Sequence, residues 1–164
     1  MVALFVLLAA CGGSSAAPVV SPSTPAVAAS WNQDLTLTGD ISGHMTTIVP
    51  NTGDQQSACT GAKPRPGQTW ADEFFGLIDS SGDVWGFDFV VLNYGGPGVY
   101  RDQAVAVEVH DATNLKVWEN QIGDSVTFVL DHTQQGGTVD ALLTNADSGK
   151  AGGLHLTGRW NCKA

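Results

Sequence analysis

Apolar side chains fall at every second position in one short run after another, with Gly-rich turns between the runs, so the chain reads as a set of half-buried β-strands. The closing run shows the pattern well. In Leu154-His-Leu-Thr-Gly-Arg-Trp-Asn-Cys162, alternation sets Leu154, Leu156, Gly158, Trp160 and Cys162 on one face and His155, Thr157, Arg159 and Asn161 on the other. A domain built this way is not complete until that last strand docks.

Similar runs precede it. Leu35, Leu37 and Ile41 alternate with Thr36, Thr38 and Asp40, with Gly39 where a bulge would fit, and Gly43–Val49 supplies a second strand. A long loop from Gln55 to Trp70 carries Lys63-Pro-Arg-Pro-Gly67. Two apolar runs, 72–79 and 84–93, flank Ser80-Ser-Gly-Asp83 as an antiparallel hairpin. The second of them, with Trp85, Phe87, Phe89 and Val91 on one face and Val84, Asp88, Val90 and Leu92 on the other, has the composition of a central strand. Pro97-Gly98 suits a type II turn, and Val105, Val107 and Val109, then Val126, Phe128 and Leu130, then Val139, Ala141 and Leu143 mark further inward faces, with a short edge strand near Leu115–Trp118.

No convincing helix appears, and 43% hydrophobic residues with 14% charged and 20 glycines suit a turn-rich β domain. The expected fold is all-β: an antiparallel two-sheet β-sandwich of about eight or nine strands, jelly-roll or immunoglobulin-like, with a partly closed β-barrel as the alternative. Seven Lys and Arg against 16 Asp and Glu give a net charge of −9, which repels a polyanion and sets nucleic acid aside as a partner.

The N-terminus is of another kind. Residues 1–10, MVALFVLLAA, form an apolar run too short to span a bilayer. Leu8-Ala9-Ala10-Cys11 resembles the lipobox of bacterial lipoproteins, although no Lys or Arg precedes the apolar run as in most export signals. That resemblance implies cleavage before Cys11, a lipid on its thiol, and an extracytoplasmic protein held to the membrane. Residues 11–30, rich in Ser, Ala, Pro and Val and free of charge, then read as a flexible tether to a domain over 31–164. Taken with Leu35-Thr-Leu-Thr-Gly-Asp-Ile-Ser-Gly43, Tyr94-x-Gly-Pro-Gly-x-Tyr100 and the closing Gly158-x-Trp160-x-Cys162, the chain resembles small exported bacterial lipoproteins with a β-sandwich domain. The resemblance implies location and fold and carries no catalytic residues.

Cys59 and Cys162 lie about a hundred residues apart, without the spacing of a metal or CxxC redox motif, so in an oxidising compartment they read as a structural disulfide. Such a bridge would contribute roughly 4 to 5 kcal/mol on the chain-entropy view.

Signals for chemistry are sparse. There is no Gly-x-Ser-x-Gly elbow and no cysteine free to pair with a histidine, so no catalytic residue is assigned. His44, His110, His132 and His155 show no HxH or HExxH spacing, and a metal site would have to be assembled from distant strands; no metal or cofactor is assigned. Asp79-Ser-Ser-Gly-Asp83 has oxygen ligands around a turn but lacks the EF-hand pattern, and reads as a hairpin turn. Asp88, in an apolar strand, must be paired, hydrogen-bonded or neutral if buried: a catalytic acid, a partner of Arg159 or Arg101, or a residue facing water. Trp70 and Trp118, flanked by polar residues, and the phenols Tyr94 and Tyr100 are candidate surface aromatics for a glycan or protein ligand. The expected role is binding or structural in the cell envelope; the alternatives are a carbohydrate-binding module and a carboxylate-dependent hydrolase.

Overall fold

The computed structural model describes residues 30–49, 64–78 and 82–163. They form ten strands: β1 (Ser30–Gly39), β2 (Gly43–Val49), β3 (Trp70–Ile78), β4 (Val84–Val91), β5 (Gly98–Arg101), β6 (Ala106–Asp111), β7 (Val117–Glu119), β8 (Val126–Leu130), β9 (Gly136–Asn145) and β10 (Leu154–Lys163). A single 3₁₀ turn, Asp102–Ala104, joins β5 to β6. Every neighbouring pair is antiparallel.

The sheet closes on itself, and the expected two-sheet sandwich gives way to the alternative, an eight-stranded antiparallel β-barrel. The deciding element is β10. One of its edges pairs with β1 from Ser30↔Lys163 to Gly39↔Leu154, and the other pairs with β9 from Leu154↔Leu143 to Asn161↔Gly136. With both edges used, the ring β10-β1-β2-β3-β4-β6-β7-β9 has no free end. Closure needs the wall to bend, and Gly158 supplies the bend. Its φ is +137°, and a Cβ there would lie 2.0 Å from the Asp34 carbonyl oxygen on β1.

One stretch of the wall forks. The edge of β9 away from β10 pairs with β7 through Asn145 and Thr144 at one end and with β8 from Val126↔Ala141 to Leu130↔Gly137 at the other, and β5 adds outside β8. Where β7 ends, Asn120 stands in for the missing strand: its Oδ1 accepts from the Val107 N–H at 2.7 Å, and its Nδ2 donates to the carbonyls of Val105 at 3.1 Å and Asp102 at 3.3 Å. A cavity of about 370 Å³ opens at this seam, lined by Val90, Leu92, Tyr100, Val105 and Asn120 among others.

The alternation read from the sequence names the inward faces correctly: Leu35 and Leu37, Trp85, Phe87, Phe89 and Val91, the valines at 105, 107 and 109, and Leu154, Leu156 and Trp160 are all buried. Eight strands leave an interior about wide enough for side chains alone. Here it is filled. Trp70 lies 5.8 Å from Trp160 and 5.6 Å from Phe128, ring centre to ring centre, and Phe89 packs on Phe128 at 5.3 Å. Farther along, Phe74 stacks on Phe87 at 5.4 Å and Trp85 tilts against Trp118 at 5.7 Å. Such rings contribute through buried area and through offset or tilted contact.

Candidate functional site

Three of the four aromatics expected on the surface are core. Trp70, Trp118 and Tyr94 are at most 4% exposed, and Tyr100 is half-buried against them. The polar neighbours of Trp70 and Trp118 face outward because a strand alternates, not because the indoles do. Tyr94 and Tyr100 stack at 6.4 Å, and the Tyr100 hydroxyl donates to the Gly96 carbonyl at 2.6 Å while accepting from the Gly95 N–H at 3.0 Å. The loop between them is thus a hydrogen-bonded brace, and Gly98 already begins β5 where a type II turn was expected. An exposed stacking platform made of these four residues is not present. Cys11, expected to carry a lipid, and Cys59 lie outside the described residues. So does residue 79–81 of the turn weighed as a calcium loop, and so does the side chain of Cys162, leaving the Cys59–Cys162 bridge outside the described part as well.

Asp88 is where the chemistry collects. It points outward from β4, pairing with neither Arg159, which lies 3.5 Å from Asp34, nor Arg101, whose Nη1 donates to Thr127 at 2.8 Å. Its partner is His110 on β6, Nε2 to Oδ2 3.4 Å. The registers place Glu73 on β3 opposite Asp88, Asp88 opposite Glu108 on β6, and Glu108 opposite Glu119 on β7. Four carboxylates therefore stand in one row across four adjacent strands on the outer wall. Like charges facing each other across strands repel. Among the described residues, no Lys or Arg forms an ion pair with any of the four.

His110 is the cation of this row, and the local sequence explains its posture. Its register partner is Gly86, and a Cβ at that position would sit 2.2 Å from His110 Nε2. The glycine lets the imidazole lie flat on the wall, where Phe75 meets it edge-on at 5.6 Å, and the residue is only 5% exposed although it points outward. The Asp111 carbonyl accepts from His110 Nδ1 at 2.8 Å, so Nδ1 carries a proton and Nε2 is the nitrogen turned to the carboxylates. The Asp88 carboxylate beside it, helped by the Asp111 carbonyl and against the effect of burial, raises the His110 pKa to about 9. Burial pushes the Glu73 and Glu108 carboxyls up, and the nearby Asp88 charge adds to it.

The other histidines make simpler pairs on the far side of the barrel, His44 with Asp34 at 2.7 Å and His155 with Asp140 at 2.8 Å, while His132 is exposed. Lys150 and Trp118 Nε1 both reach Asp40. Among the described residues, the carboxylate that is fully inside is Asp72, 1% exposed between Trp70 and Phe74 on the inner face of β3, a position the alternation of that strand already marks. Glu73 was also within reach of sequence reasoning, since a hairpin centred on the 80–81 turn sets residue 73 across from 88.

Compared with protein-family models, curated proteins and solved structures, the chain matches none.

Proposed function

We infer that this chain is a lipid-anchored extracytoplasmic protein with a binding role in the cell envelope, working through the outer wall of its barrel. The observation that carries the binding part is the acidic row with His110 on the outer wall, because inside the barrel Trp70, Phe89, Phe128 and Trp160 pack on one another where a wider barrel would hold a ligand. What remains chemically distinctive is the outer row Glu73, Asp88, Glu108 and Glu119 with His110. The anchoring part is supported by the Leu8-Ala9-Ala10-Cys11 lipobox and the uncharged residues 12–30 that follow it.

Labelling with a radioactive fatty acid tests the anchor. The wild-type chain should take up label and fractionate with membranes, and Cys11→Ser or globomycin should abolish both. Label retained by Cys11→Ser would refute it.

A second reading, the carboxylate-dependent hydrolase, is favoured by the Asp88–His110 pair with two flanking carboxyls whose pKa values are raised. These groups stand on the outside of the wall, where little excludes water from a reaction. The carbohydrate-binding alternative has lost three of its four surface rings to the core.

A further inference from the structure

We propose that Glu73, Asp88 and His110 form a binding site for a divalent transition-metal ion on the outer wall of the barrel. One ligand atom from each of the three lies within 4.8 Å of the others, contributed by three neighbouring strands. A mixed imidazole and carboxylate set suits Zn²⁺, Mn²⁺, Fe²⁺ and related ions, whereas Ca²⁺ and Mg²⁺ prefer oxygen alone.

The posture of His110 also points to an ion. Its Nδ1–H is committed to the Asp111 carbonyl at 2.8 Å, the outer hydrogen bond by which ligating histidines are commonly oriented. That leaves Nε2, the ligating atom, on a nearly buried imidazole aimed at the carboxylates across Gly86. The Nε2 to Oδ2 separation of 3.4 Å is long for a charge-assisted hydrogen bond, which runs about 2.7–2.9 Å. It is the spacing of two ligands on one tetrahedral ion: bonds of about 2.0–2.1 Å at the tetrahedral angle put ligand atoms about 3.4 Å apart. Glu73, half-buried, already places a carboxylate oxygen within 4.8 Å of the other two ligand atoms, and Glu108 stands in register on the other side of Asp88. Three protein ligands leave a fourth position for water or for a donor from a partner, the pattern of an open site.

The inference goes beyond the anchored-binding role, because it is read on purified protein wherever that protein resides. The purified full chain, stripped with chelator, is titrated with Zn²⁺ by calorimetry and with Co²⁺ by visible absorption. The expected result is one ion per chain, a Co²⁺ spectrum without a sulfur-to-metal charge-transfer band, and affinity weakened about tenfold or more by each of Glu73→Gln, Asp88→Asn and His110→Gln. His44→Gln and His155→Gln, which break the other two histidine–carboxylate pairs, should leave the affinity unchanged. Gly86→Ala gives a further variant that keeps all three ligands but displaces the imidazole, and it too should bind weakly. Circular dichroism identifies any variant that has unfolded, and the remaining variants decide. No saturable binding, a sulfur band placing the ion on cysteine, or equal affinity in the folded Asp88→Asn or Gly86→Ala variant would overturn the site.

Discussion

In the metal-free protein the single charge on His110 takes the cation's place, and its contribution to stability follows from linkage. The folded-state pKa is raised from 6.5 to about 9, with the Asp88 carboxylate as the largest cause. At 1.36 kcal/mol per pKa unit this amounts to about 3 kcal/mol. Because the pKa is raised on folding, the whole contribution is present below pH 6.5. It declines as pH rises and is gone above about 9. The side chain is only 6% exposed, so solvent does little to screen it. Urea denaturation in chelator, at intervals from pH 6 to 10, should show the wild type losing about 3 kcal/mol across that window relative to His110→Gln. The difference between the two curves removes the contribution of other groups that titrate in the same window. Parallel curves, or a wild type that gains on the variant as pH rises, would refute the assignment of His110 as the charge that holds the acidic row together.

Other consequences are structural. Gly158→Ala places a Cβ 2.0 Å from the Asp34 carbonyl at a φ of +137°, and should cost about 3 kcal/mol or more by thermal or urea denaturation, because it strains the strand that closes the ring. Asn120→Ala removes the side chain that satisfies Val107 N–H and the Val105 carbonyl at the fork, and should cost about 2 kcal/mol by urea denaturation. Glu108→Gln relieves repulsion from Asp88 and Glu119, and at neutral pH should stabilise the fold by about 0.5 kcal/mol, measured by the urea midpoint. Its sign is the informative part: the Glu108 pKa is raised on folding, so its ionised form opposes the fold above the ordinary carboxylate range.

The inward faces were legible from alternation alone, down to Trp160 on the last strand, because a strand side chain has only two directions to point. Closure was not. A sandwich and a barrel present the same period-two pattern, and the difference is whether β10 finds partners on both edges, a long-range pairing that leaves no local mark beyond the glycine at 158. Trp70 and Trp118 were misplaced for a related reason: polar neighbours along a strand describe the opposite face, and the two indoles follow the inward alternation of their own strands. Asp88 was singled out in the sequence, but its partner was not, since His110 belongs to a strand reached through β5 and a 3₁₀ turn. The row itself is a property of register. Residues 73, 88, 108 and 119 share no sequence motif and meet because three strand pairings happen to bring them level.

The most direct measurement is a crystal of the full chain grown with Zn²⁺ and recorded on both sides of the zinc absorption edge. One anomalous peak is expected about 2.0–2.2 Å from His110 Nε2 and from a carboxylate oxygen each of Glu73 and Asp88, on the outer wall of a ring closed by β10. A peak at His44, at His155 or on a cysteine, or no ordered peak at all, would contradict the site.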